Sequence, residues 1–147
     1  MHRFVKLSVT DVQRIKELFV SVFTKEPWMD DWSDGNQLDQ YIIDLIGNPN
    51  SLAFGYEEGK ELIAVSMGYI KHWWQGTEYI INELCVKTEL QGHGVGGRFV
   101  EDIEGYLREN DIKGVFLLTD RDVPAYGFYR HCGFVEQENT VAFAKWV

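Results

Sequence analysis

Gln91-Gly92-His93-Gly94-Val95-Gly96 sits between an apolar, strand-like run, Ile80 to Val86, and a helix-like run, Arg98 to Leu107. A glycine-rich strand-to-helix turn keeps side chains out of the way of its backbone N–H groups, and the positive end of the following helix adds its own attraction for an anion. The stretch therefore reads as a phosphate cradle for a phosphorylated cofactor. A nucleotide P-loop would need G-x-x-x-x-G-K-[ST], and no Gly-Lys-Ser/Thr occurs anywhere in the chain. The pattern met in full is Q-x-x-G-x-G.

The chain has 147 residues, 45% of them hydrophobic and 25% charged, which predicts one soluble domain spanning 1–147 with a real core. Met1-His2-Arg3-Phe4-Val5-Lys6 is too mixed in polarity for a signal peptide, and no apolar run approaches bilayer length. A cytoplasmic protein without a membrane partner is expected. Cys85 lies in a strand pattern and Cys132 in a helical one, so reduced thiols are expected rather than a disulfide framework. His2, His72, His93 and His131 lack ligand-like spacing, and no metal site is expected.

A net charge of -9 argues against nucleic acid as a partner and favours cationic ligands. The acidity is uneven. From Glu26 to Asn50 the chain carries Glu26, Asp30, Asp31, Asp34, Asp39 and Asp44 with no lysine or arginine. Such a segment reads either as a solubilising surface or as a wall that attracts a polyamine-like substrate.

Along the chain, Phe4 to Leu7 reads as a strand. Thr10 with Gln13 reads as a capping box before an amphipathic helix carrying Val12, Ile15, Leu18, Phe19, Val22 and Phe23. Lys25 to Gly35 reads as a loop, and a second helix carries Leu38, Tyr41, Ile42, Leu45 and Ile46 up to Gly47-Asn48-Pro49. Leu52–Tyr56 and Leu62–Ile70 predict a hairpin turning at Glu58-Gly59-Lys60, followed by a strand from Glu78 to Lys87. Beyond the glycine turn come a helix, a buried strand at Val115–Leu118, a short helix at Ala125–Cys132 with Pro124 in its first turn, and a closing strand region from Phe134 to Val147. The order β-α-α-β-β-β-α-β-α-β predicts an α/β sandwich, a mixed central sheet flanked by helices.

Two segments carry a family resemblance. Leu84-Cys85-Val86-Lys87-Thr88-Glu89-Leu90-Gln91-Gly92-His93-Gly94-Val95-Gly96 resembles the cofactor motif of the GNAT acetyltransferase superfamily, and Ala125-Tyr126-Gly127-Phe128-Tyr129-Arg130-His131-Cys132-Gly133-Phe134 resembles its second motif. The element order matches over essentially the whole chain. Glu26-Pro27-Trp28 and the Gly76-Thr77-Glu78-Tyr79 turn also resemble bacterial aminoglycoside 6'-N-acetyltransferase-like members.

The resemblance implies an acetyl-CoA site. Its diphosphate would rest on the main-chain N–H groups of Gln91, Gly92, His93, Gly94, Val95, Gly96 and Gly97, with positive charge from His93 and Arg98. The pantetheine arm would lie beside Leu84, Cys85 and Val86 like an added strand. Asp122 stands where the family often has asparagine, so an amide contact to pantetheine is missing there; Tyr126 belongs to the same cofactor wall.

By the same resemblance Tyr129 is the acid that protonates or hydrogen-bonds the leaving sulfur, and a tyrosine keeps its proton at neutral pH. The base is Glu83, or else Glu78 or water, with Asn82 standing where some relatives carry an acid. Trp28 and Trp32, together with Trp73 and Trp74, read either as aromatic lining of an acceptor cleft or as packing under loops. Cys85 has no neighbouring histidine to ionise it, so direct transfer is expected rather than an enzyme-bound intermediate. The implied activity is acetyl transfer from acetyl-CoA to a small, cationic amine by a monomer or homodimer. The alternatives are a protein or peptide amine as acceptor, or a non-catalytic acyl-CoA-binding sensor.

Overall fold

Strands β2 (Ser51–Glu58) and β3 (Glu61–Trp73) are buried along most of their length on both faces, which is why they read as near-continuous apolar runs. They form the expected hairpin, turning at Gly59, whose φ of 64° falls in the left-handed region that glycine adopts freely. β1 (Arg3–Leu7) pairs antiparallel with β2, and β4 (Gly76–Val86) pairs antiparallel with β3. Helix α3 (Val95–Glu109) then carries the chain back across the sheet, so β5 (Gly114–Leu117) lies parallel to β4. The mixed sheet runs in the order β1-β2-β3-β4-β5. This computed structural model describes residues 2–147; Met1, where the expected domain and the signal-peptide reading begin, lies outside the described residues.

Helices cover both faces. On one, α1 (Val12–Phe23) and α2 (Gly35–Ile46) bury Ile15, Phe19, Val22, Leu38 and Ile42 against Val65, Met67 and Cys85. On the other, α3 buries Phe99, Ile103 and Leu107 against Phe54, Tyr56 and Tyr79. α4 (Pro124–His131) meets the start of α3, where the Phe128 ring lies 2.9 Å from the point a Cβ on Gly96 would occupy.

The β3–β4 ladder slips once. Met67 pairs with Glu83 but Gly68 pairs with Ile81, so Asn82 is the extra residue of a bulge. The alternation of β4 reverses there: Tyr79 and Ile81 enter the α3-side core, whereas Cys85 enters the α1/α2-side core. Glu83 shares the face of Cys85, and its carboxylate meets Tyr41 of α2. Gly68 permits the slip, because a Cβ at that position would lie 1.9 Å from the Ile80 carbonyl oxygen. The β4–β5 pairing also stops here, at Ile81 opposite Leu117, and residues 82–86 of β4 have no strand alongside on that edge.

Three expectations are corrected. Thr10 does not cap α1: it lies in a short 3-10 turn, its hydroxyl bonds that of Ser8 at 2.9 Å, and the Asp11 carboxylate accepts the Ser8 N–H at 2.9 Å. α3 starts at Val95, ahead of the expected Arg98, so Gly96 and Gly97 belong to its first turn. Finally, no strand forms between Phe134 and Val147. There Phe134 packs on Tyr129 with ring centroids 5.3 Å apart, Glu136 pairs with Arg121 at 2.6 Å, and a turn follows in which the Thr140 N–H donates to the Gln137 carbonyl at 3.2 Å. Beyond it the chain finds no ladder partner within its own sheet, and a strand without a neighbour is not held.

Among the described residues, no helix is long and apolar enough to cross a membrane, and no group of three or more His, Cys, Asp or Glu could hold a metal ion.

Candidate active site

Gly92 and Gly94 have φ of 80° and 82°, which turns successive N–H groups of the loop to one side at little steric cost. Among the described residues, the N–H groups of Gly92 through Gly97 make no hydrogen bond of normal geometry. The Gln91 N–H donates to the Thr88 carbonyl at 3.2 Å, so the free amides start one residue later than the sequence suggests. Arg98 Nη1 lies 3.4 Å from the point a Cβ on Gly94 would occupy, which hangs positive charge over the turn. His93 is exposed beside it, while Val95 is buried and pins the turn to the α3-side core. Gly92, Gly94 and Gly97 also carry the spacing G-x-G-x-x-G, but that fingerprint belongs to an open parallel sheet, and here the preceding strand is antiparallel to β3.

From this turn the unpaired edge of β4 leads past Val86, Cys85 and Leu84 to Glu83. The Val86 carbonyl accepts the Gln91 carboxamide at 2.9 Å, so Gln91 closes one end of the edge with its side chain. Glu83 is half-buried, and Tyr41 donates to its Oε1 at 2.6 Å. Burial raises the Glu83 carboxyl above its ordinary value of 4.5; the Tyr41 hydrogen bond opposes the shift and the charge of Asp30 adds to it. Tyr129 is half-buried, with Phe128 and Phe134 each 5.3 Å away between ring centroids. Its hydroxyl makes no hydrogen bond among the described residues, yet its oxygen is not sealed from solvent. Burial, followed by the charge of Glu83 and the proximity of the Cys85 thiol, pushes that phenol above the usual tyrosine range. Tyr129, Glu83 and Cys85 therefore lie near one another. Burial, then Glu83, also pushes the Cys85 thiol up, so it stays protonated at neutral pH and is a poor nucleophile.

Glu78 stands apart. It pairs across the sheet with Lys71 and Gly114 near the start of β4, roughly 15 Å along the strand from Glu83. Trp28 and Trp32 are half-buried against the α1/α2 core, Trp28 on Phe23 at 5.4 Å and Trp32 on Phe19 at 5.5 Å. Trp32 nevertheless touches the site, because it stacks on Tyr41 at 5.2 Å, and its buried Nε1 has no partner. Trp73 and Trp74 lie exposed at the tip of the β3–β4 hairpin, and Lys71 already covers the Trp73 ring at 4.0 Å. Asp122 is exposed in the loop before α4. The Arg121 and Arg130 guanidiniums each lie 5.7 Å from the Tyr126 ring centroid, and the Tyr126 hydroxyl accepts from Arg130 at 3.0 Å.

Asn82, the bulged residue, lines a cavity of about 200 Å³ with Asp44, Asn48, Asn50 and Tyr69. The acidic segment divides accordingly. Asp34 caps α2 by accepting from the Asn36 and Gln37 N–H groups at 3.1 Å, Asp39 pairs with Lys16 at 2.6 Å, and Asp31 accepts from the Ser33 N–H at 3.0 Å. The charge of Asp30 reaches Glu83, and Asp44 lies on the wall of the cavity beside Asn82. In the sequence Tyr41 stands within the apolar stripe of α2; the signal of its role is a hydroxyl among aliphatic neighbours, which needs a partner once buried.

The sequence model of the Acetyltransferase (GNAT) family matches residues 12–134. The chain belongs to that family. As a GNAT protein it is an N-acetyltransferase and binds acyl-CoA. Among solved structures, this GNAT chain is similar to an aminoglycoside acetyltransferase, meta-AAC0020, from an uncultured soil metagenomic sample in complex with sisomicin, with 20% identity, 99% of this chain and 96% of that chain covered, and a TM-score of 0.76. A possible acetyltransferase from Clostridium difficile 630 gives 14% identity, coverage of 100% and 99%, and a TM-score of 0.82. Ribosomal-protein-alanine N-acetyltransferase from Brucella melitensis biovar Abortus 2308 gives 13%, 100% and 99%, and 0.73. At such identities these likenesses establish the GNAT fold alone. No curated protein matches the chain.

Proposed function

We propose that this protein transfers acetyl from acetyl-CoA to a primary amine of a small, polycationic acceptor, aminoglycoside- or polyamine-like, by direct attack in a ternary complex. The observation that carries this reading is the unpaired stretch of β4, residues 82–86, running from the free amides of the turn to Glu83, with Tyr129 nearby. The amides of Gly92–Gly97, with Arg98 beside them, fit a diphosphate, and the open strand edge fits an amide-bearing arm. Bound acetyl-CoA would supply an acyl group already activated as a thioester.

The chain's own groups supply the rest. An alkylammonium has a pKa near 10.4, so it must lose a proton before it can attack. Glu83 accepts that proton, directly or through water, and its raised pKa makes it a stronger base than an exposed carboxylate. Tyr129 holds its proton at neutral pH and offers it to the departing sulfur. Asp30 and Asp44 draw the acceptor in, the second by holding an ammonium group away from the reacting one. The sisomicin-bound relative is consistent with such an acceptor.

Thiol release with acetyl-CoA and a panel of amines tests the reading. Acceptors with two or more ammonium groups are expected to give the highest kcat/KM. Better turnover on peptide N-termini would replace the acceptor by a peptide amine, and acyl-CoA binding without release on any amine would reduce the protein to a sensor. Asp44→Asn is expected to raise KM for a polycationic acceptor about 10-fold with kcat little changed, the pattern of lost ground-state binding.

Glu83→Gln separates function from stability. The folded chain retains a proton on Glu83 that the unfolded chain releases, so stability falls as pH rises from the ordinary value of 4.5 through the raised one. Glutamine removes this penalty and can still accept from Tyr41. At pH 7 the variant is expected to melt higher than the parent in a thermal scan while kcat/KM falls about 10²-fold.

A further inference from the structure

The Glu83 carboxylate is held unequally. Its Oε1 accepts the Tyr41 hydroxyl at 2.6 Å, whereas its Oε2 bonds no group among the described residues and is not sealed from solvent. The Tyr41 ring is itself fixed: it stacks on Trp32 with centroids 5.2 Å apart and planes at 17°, and the Phe19 ring of α1 lies 6.0 Å away. A ring packed against two others has few rotamers left, so its hydroxyl approaches β4 along one direction. That direction is anchored by α2, whose Leu38, Ile42 and Leu45 are buried in the core on which Tyr41 packs.

We propose that Tyr41 is a positioning residue of this active site: its phenol pins Oε1 of Glu83 and so leaves Oε2 as the oxygen that takes the proton of the acceptor amine. The inference rests on the reading of Glu83 as the base. In that step an N–H bond breaks, an O–H bond forms at Oε2, and the electron pair stays on nitrogen for the attack. A carboxylate free to rotate would exchange its two oxygens and spend only part of its time in line with the amine. The same bond governs when the base is ready. Burial raises the Glu83 carboxyl above its ordinary value, the Tyr41 hydrogen bond lowers it, and the charge of Asp30 raises it. The titratable groups that face it are Tyr41 from α2, Asp30 from the loop after α1, Tyr129 from α4 and Cys85 on its own strand. Among the described residues no lysine or arginine forms an ion pair with it. Tyr41 is thus the neighbour among them that favours the charged, proton-accepting form. It remains a donor throughout, because burial and then Glu83 hold its own phenol above the usual tyrosine range.

Tyr41→Phe, Glu83→Gln and the double variant test this. Tyr41→Phe keeps the ring and its packing, and kcat/KM is expected to fall about 10-fold at neutral pH and further below it, with the acidic limb of the pH profile at higher pH than the parent's. In the Glu83→Gln background the same substitution is expected to change kcat/KM by less than about twofold, since the phenol acts through the carboxylate. Melting temperature reads the hydrogen bond without turnover: with the folded-state carboxyl moved further above 4.5, the stability lost as pH rises from about 5 to about 8 is expected to be larger in Tyr41→Phe than in the parent, and equal in the two glutamine variants. Equal kinetic losses in the two backgrounds, an acidic limb that stays in place, or a parental loss of stability with pH overturns the proposal and leaves the base reading standing. Parental kcat/KM in Glu83→Gln overturns that reading, and the proposal with it. Should Tyr41→Phe fail to fold, a fluorinated tyrosine introduced in place of Tyr41 decides: it keeps the shape, donates more strongly, and is expected to move the acidic limb to lower pH, whereas a limb that stays or rises overturns the proposal.

Discussion

Tyr129→Phe is expected to lower kcat by about 10²-fold while leaving the Kd for acetyl-CoA within about twofold of the parent. The reasoning starts from what the phenol does not do. Its oxygen bonds no other group of the described chain, so removing it breaks no internal hydrogen bond, and the ring keeps its packing against Phe128 and Phe134. Melting temperature should therefore stay where it is. A loss confined to turnover would mark a group needed only as the sulfur departs. The pH profile gives an independent reading: burial and the charge of Glu83 hold the phenol above the ordinary value of 10, so the parent should show no falling limb from Tyr129 below that pH. Unchanged kcat in the variant would remove Tyr129 from the acid role.

Gly68→Ala is expected to be costly in both respects, losing about 3 kcal/mol of stability and at least about 10²-fold in kcat/KM. A methyl group placed 1.9 Å from the Ile80 carbonyl cannot be absorbed by a side-chain rotation, because the obstructing atom is backbone. Either the two strands part, or Asn82 is drawn into the ladder. The second route turns Glu83 away from Tyr41 and toward the α3 side, since a register change of one residue exchanges the two faces of a strand. Urea denaturation and steady-state kinetics on the same preparation measure the two losses. A variant with parental stability would mean that the slip at Asn82 does not depend on the missing side chain.

The glycine turn, the helices and the hairpin were legible because each depends on chemistry within a few residues. Gly94 needs a left-handed φ, Asp34 stands just ahead of two N–H groups that need an acceptor, and the stripe Leu38, Ile42, Leu45 repeats at helical spacing. What the sequence hid depends on distant partners. Tyr41 and Glu83 lie 42 positions apart, and nothing local announces their hydrogen bond. The bulge at Asn82 follows from an approach between Gly68 and Ile80 that exists only once the strands are paired. The acidic segment looks uniform, yet Asp34 is taken up by a helix cap and Asp39 by an ion pair, whereas Asp30 acts on Glu83 and Asp44 lines the cavity beside Asn82. Phe134 to Val147 reads as a closing strand region and forms no strand, because an apolar composition records a preference for burial without supplying the ladder partner that a strand needs.

The seat that Gly96 leaves for Phe128 couples two parts of the molecule that sequence motifs treat as separate. With 2.9 Å between the ring and the missing methyl's position, the first turn of α3 and the helix bearing Tyr129 meet with almost no slack. On the proposed function, a diphosphate that drew the loop inward would press on Phe128, the neighbour of the phenol, so occupancy at one end would bear on alignment at the other. The amine would then meet a fully aimed acid only after the nucleotide carrier has docked, which makes carrier first, acceptor second the natural sequence of arrivals.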